Sequence, residues 1–150
     1  MIDIIKNNNS VMAYVITKDH SEAGTAFITP NDFSQQLAFM NHKKGHQIIP
    51  HVHNPVHRDV KLTLEVLFIR KGSVRIDFYD DSRNFVSNYV LRQGDTILLA
   101  SGGHGFEVLE DLEMIEVKQG PYAGDADKTR FDPSSRKDIN PTAIRHDTGQ

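Results

Sequence analysis

Apolar residues fall along this chain in short bursts separated by turn-forming residues, with no helical rhythm. Val, Ile, Phe and Tyr dominate the bursts, the residue types that fit a pleated, half-buried surface. They predict strands at 11–17, 25–29, 35–40, 46–53, 60–70, 73–79, 85–91, 96–100, 105–109 and 112–118. Turn chemistry divides them at Thr29-Pro30-Asn31-Asp32, Lys43-Lys44-Gly45, Lys71-Gly72, Asp80-Asp81-Ser82, Gln93-Gly94-Asp95 and Ser101-Gly102-Gly103. The cleanest alternation is at 73–79, where Val74, Ile76 and Phe78 share one face and Arg75 and Asp77 the other. No amphipathic segment is long enough for a crossover helix, so the strands must be antiparallel, in a sandwich or barrel. After Phe131 the apolar pattern stops, and 132–150 reads as a polar tail.

Composition narrows the function classes. A chain of 150 residues holds one domain, able to bury roughly 68–70% of its unfolded surface without covalent staples. Its net charge is -3 and its sequence pI about 6.2, so no basic field exists to hold nucleic acid or an anionic membrane. The absence of cysteine excludes disulfides, thiolate metal sites and a cysteine nucleophile. No apolar run approaches the about 20 residues of a spanning helix. Asp3 and Asn7, Asn8 and Asn9 break any apolar leader. The expected location is the cytoplasm, with no membrane and no nucleic-acid partner.

Eight histidines stand at 20, 42, 46, 51, 53, 57, 104 and 146. His51 and His53, two apart on a predicted strand, would project from one face with Cβ atoms about 7 Å apart. Two imidazoles on one face suit a divalent transition metal, and they equally suit a solvated strand. Glu65 shares a predicted strand face with Leu67 and Ile69, hence an inward direction, and an inward carboxylate needs a partner. His104 lies in the glycine-rich run Ser101-Gly102-Gly103-His104-Gly105, either a hairpin tip or a place where a ligand approaches backbone. His42 reads as a turn residue, His46 points away from His51, and His20 and His146 fall in polar flanks and read as exposed. The segment from Lys118 to Phe131 mixes acids, bases and Tyr122, as a salt-laced loop closing the barrel or a binding loop at its mouth.

At these residues the sequence resembles the cupin superfamily. Gly45-x5-His51-x-His53 and Glu65-x6-Gly72 match the two parts of its first motif, and Gly94 and His104 match its second. Eleven residues separate His53 from Glu65 where the family has three or four. Ala100 replaces a proline, Val108 an asparagine, and His57 stands at the family's glutamate spacing counted forward from His53. The resemblance covers about 35–118. It implies an antiparallel jelly-roll β-barrel at 34–131, flanked by N-terminal strands in 1–33 and the tail at 132–150. It further implies that His51, His53, Glu65 and His104 hold one divalent transition metal (iron, manganese, nickel or zinc), with His57 the rival to Glu65.

Three functions fit. The first is a cupin-like metalloprotein binding or transforming a small polar molecule, by dioxygenase or isomerase chemistry. The second is a metal-free sugar-nucleotide epimerase or isomerase that uses a histidine base, with Arg58, Lys61 and Arg70 for the pyrophosphate. The third is a non-catalytic small-molecule-binding module. A homodimer is expected, because strand edges need cover and the early strands at 11–17 and 25–29 offer edges.

Overall fold

The computed structural model describes residues 1–133. The protein is all-β, an antiparallel sheet curled into a half-barrel. Its strands are β1 (Ile2–Asn7), β2 (Ser10–Ile16), β3 (Gly24–Phe27), β4 (Ala38–Asn41), β5 (Glu65–Tyr79), β6 (Phe85–Arg92), β7 (Thr96–Leu99) and β8 (Gly103–Lys118). Among the described residues no helix is long and apolar enough to cross a membrane. The predicted tail and His146 fall almost wholly outside the described residues.

The main sheet runs β1-β2-β7-β5-β6, with β8 on the other edge of β5; β3 and β4 form a separate hairpin. β2 is paired on both edges, by β1 and β7, so the N-terminal strand expected to offer an edge is interior. Its unbroken run from Met12 to Ile16 is buried throughout. That is the composition of a strand covered on both faces. Ala13 and Val15 join one core with Leu67, Ile69, Ile97 and Leu99. Tyr14 and Ile16 join a second with Leu64, Val66 and Leu98, on which Phe33 and Phe39 pack.

β5 and β8 form one long bent ribbon, and here the structure departs from the predicted turn at Lys71-Gly72. The chain runs on through Gly72 as a strand whose register with β8 shifts between Ile69 and Val74. Parity explains why. Leu67 and Ile69 are odd, Val74, Ile76 and Phe78 even, so an unbroken pleat would put the two sets on opposite faces. The bulge returns both to one face and one core. Gly72 has φ +75, and a Cβ there would meet the Asp111 carbonyl oxygen at 2.1 Å, so only glycine fits this corner. The predicted strands at 105–109 and 112–118 merge into β8 for the same reason.

The predicted strand at 46–53 is absent. Between Asn41 and Glu65 the chain forms no strand, and its apolar side chains from Ile48 to Leu62 lie exposed, whereas Leu64 is buried at the entry to β5. Pro50 and Pro55 remove two ladder donors there, and no neighbouring strand supplies a partner. This segment, 42–64, is an arm outside every ladder of the sheet. β1 was not anticipated, because Asp3, Lys6 and Asn7 mask its apolar positions, and His20 is half-buried, its ring edge-on to Phe39 at 4.7 Å.

Candidate functional site

The bend in the ribbon builds the site. Glu65 opens β5 opposite Lys118, whereas His104 lies near the other end of the ribbon, opposite Phe78. The corner at Gly72 folds one half over the other and brings the two side chains together. His104 Nε2 lies 3.1 Å from Glu65 Oε2, with the side chains 29% and 14% exposed. The inward direction of Glu65 follows from its place on the Leu67 and Ile69 face, and its partner is an imidazole. The hydrogen bond from His104 holds the Glu65 carboxyl below its usual range. Burial pushes the other way, and the charges of Lys118 and Lys128 assist the lowering. An ionised carboxylate only accepts, so His104 donates from Nε2, and in the neutral ring Nδ1 carries the lone pair.

The pair lies in an open cavity of about 780 Å³ at the mouth of the half-barrel. Its wall combines Lys61, Tyr79, Phe106, Glu116 and Lys118 with the chain from Asp127 to Phe131. The segment after β8 forms one wall of this open cavity. Lys118 Nζ reaches Asp127 at 3.5 Å and the Tyr122 ring centroid at 5.3 Å. Phe131 packs edge-on to Tyr79 at 5.2 Å. Gly103 is what admits it, since a Cβ there would stand 3.1 Å from the Phe131 ring. Burial pushes the Tyr79 hydroxyl up, with Asp77 adding to it.

A second charged group borders the cavity and was not anticipated. Arg75 and Asp77, read as the polar face of their strand, are both buried. Arg75 Nε donates to Asp77 Oδ1 at 2.9 Å, and its Nη2 also reaches Glu107, its ladder partner on β8. Burial raises the Asp77 carboxyl, against the lowering by Arg75. Correct pairing of the strands at 73–79 and 105–109 would have placed Arg75 opposite Glu107, the one available signal.

His51 and His53 lie elsewhere. Both are exposed in the arm, their rings 5.2 Å apart and edge-on, with His51 Nδ1 2.9 Å from the Ile49 carbonyl oxygen. His57 is exposed in the same segment. The structure therefore brings together two of the four residues singled out, Glu65 and His104. Among the described residues no three His, Cys, Asp or Glu side chains are grouped as a metal ion requires. Two donors of the expected set converge, Glu65 and His104, and the arm holds His51 and His53 apart from them. Of the expected pyrophosphate partners, Lys61 lines the cavity, and Lys128 and Arg130 stand there in place of Arg58 and Arg70. No protein-family model, curated protein or solved structure matches this chain.

Proposed function

We propose that this protein binds a small polar molecule in the cavity at the mouth of the half-barrel and moves a proton to or from it through His104. The observation that carries this reading is the 3.1 Å contact between His104 and Glu65 at the cavity. Glu65 fixes the ring's orientation and tautomer and stabilises the imidazolium formed when Nδ1 takes a proton. Lys61, Lys128 and Arg130 give the wall cations for an anionic portion of the ligand, and Tyr79 and Phe106 give it flat apolar contact. The chemistry served is proton transfer next to a carbonyl, the step shared by isomerases and epimerases, with sugar nucleotides as the substrate class of first choice. The test is a thermal-shift screen of nucleotide sugars and small polyhydroxylated carbonyl compounds. Exchange of ligand hydrogens with deuterated water, followed by NMR, then reads the proton transfer. Binding with exchange that His104→Ala abolishes is the expected result. Binding without exchange leaves a non-catalytic binding module, and no binding at all defeats the proposal.

A second reading rests on the convergence of Glu65 and His104, the two proposed ligands that lie outside the arm. Here the half-barrel is a cupin-type jelly roll, and the arm swings in to add His51 and His53 around iron, manganese, nickel or zinc. The ion would supply a Lewis acid to the small molecule in the cavity. Elemental analysis of protein purified without chelator or affinity-column metal tests it. Binding at 100 times the dissociation constant raises unfolding free energy by about 2.7 kcal/mol. Loss of that gain in both His51→Ala and His104→Ala is the expected pattern.

A further inference from the structure

The longest strand of the sheet is also the least covered. β8 spans 16 residues and has β5 as its sole ladder partner among the described residues. Its outer edge thus presents a row of backbone donors and acceptors without a ladder. Phe106, Val108, Ile115 and Val117 are exposed along it by 43–58%. The arm has the matching deficiency. It forms no strand, yet Ile48, Ile49, Val52 and Val56 expose 57–85% of their surface. A bare edge and a bare apolar segment in one chain are complementary wants.

Charge selects the pairing. β8 carries Glu107, Glu110, Asp111, Glu113 and Glu116. The arm carries Lys43, Lys44, Arg58 and Lys61 against the single acid Asp59. Pairing β8 with another β8 would set acids against acids, whereas the arm sets cations against them. The chain's own arm arrives on the wrong side. Leu64 is bonded to Gln119 through both its N–H and its carbonyl, on the side of β8 that β5 already occupies.

We propose that the arm of a second copy adds as a strand to the outer edge of β8, reciprocally, so that two copies extend each other's half-barrels. Pro50 and Pro55 are five positions apart, so in a continuous strand they face opposite edges, and one of them denies a further strand its N–H. The contact closes as a pair and does not propagate as a filament. This dimer is independent of the proton-transfer chemistry proposed above.

Light scattering on the full chain at tens of micromolar should give twice the 16.9 kDa chain mass. A monomer mass overturns the proposal. The chain has no cysteine, so single ones report contacts without background. Val52→Cys and Ile115→Cys both fall on exposed side chains. Mixed and treated with a bis-maleimide, the two variants should yield a covalent dimer holding one of each, with little product from either alone. Product from Ile115→Cys alone would mean that β8 pairs with β8, and the proposal falls. It falls equally if a chain carrying both cysteines links within a monomer, because its own arm then covers the edge. Glu113→Lys should raise the dimer dissociation constant several-fold, and Lys43→Glu added to it should recover part of the loss. An unchanged constant in Glu113→Lys removes the arm as the occupant.

Discussion

Two stretches of this chain carry nearly the same alternation and meet opposite fates. In 73–79, Val74, Ile76 and Phe78 are buried to 1% exposure or less. In 46–53, Ile48 and Val52 likewise alternate with polar partners, His51 and His53 among them, yet Val52 is 85% exposed. Hydrophobicity does not separate the two. The ladders do: 73–79 has β6 on one edge and β8 on the other, and 46–53 has none. Alternation says which faces a strand would have. Whether it becomes a strand depends on a partner that satisfies its backbone, and burial follows from that.

The largest expected difference between the regions comes from truncation. Phe78→Ala should cost about 3–5 kcal/mol, the range for an aromatic deleted from a core. In a chain of this size that lowers the thermal midpoint by roughly 6–20 °C. Val52→Ala, measured alongside in dilute protein, should stay within about 0.5 kcal/mol of wild type. Equal losses would erase the contrast.

Close behind is Arg75→Met, which leaves Asp77 buried without its cation. A loss of about 3 kcal/mol is expected in urea unfolding, and adding Asp77→Leu should recover much of it. No charged group of the arm is buried in this way, so Arg58→Met should be silent.

A smaller effect separates two glycines, both with positive φ. Gly72→Ala combines strain of about 1–3 kcal/mol with a clash on Asp111, and it should also weaken ligand binding by spoiling the corner that aligns Glu65 with His104. Gly45, at φ +89, has nothing within 4 Å of an added Cβ. Gly45→Ala carries the backbone strain without the clash, so it should lower the urea midpoint less than Gly72→Ala does and leave binding unchanged. If Gly72→Ala changes stability but not binding, the corner does not govern the site.

The smallest expected effect is electrostatic. The Glu65 carboxyl is held low chiefly by the His104 hydrogen bond. Its contribution to stability is therefore present above the unfolded carboxylate range and is lost as pH falls through the lower folded value. His104→Ala should shrink the stability lost between about pH 7 and about pH 3 relative to wild type. His51→Ala should leave that loss as it was. Equal behaviour of the two variants would show that Glu65 owes nothing to His104.

What was legible beforehand follows the same division. The all-β class, the strands at 73–79, 85–91 and 96–100, and the inward direction of Glu65 could be read from spacing, because each depends on alternation alone. The merging of strands at Gly72 could not, because turn and bulge use the same residue and only the parity change from Ile69 to Val74 tells them apart. The Glu65–His104 contact was half legible. The resemblance selected both residues, but their meeting depends on a bend between ribbon ends far apart in sequence. The buried Arg75–Asp77 pair was missed since polar positions opposite a core face are solvated unless another group covers them. The spacing of His51 and His53 predicts a strand, and that prediction needs a ladder the chain does not supply.

The shape of the ribbon also sets an order of events in time. Its ladder runs from the short closure between Tyr79 and Gly103 to the long one between Glu65 and Lys118. Loop closure is entropically easier for short spans, so the ribbon zips from the Tyr79 end toward Glu65. Its many non-local pairs place the chain among millisecond-to-second folders. His104 lies at the end that closes first and Glu65 at the end that closes last. The two meet only when the whole ribbon is in place, so in a refolding experiment binding of the proposed ligand should emerge after the bulk of the sheet signal, as the final step of maturation.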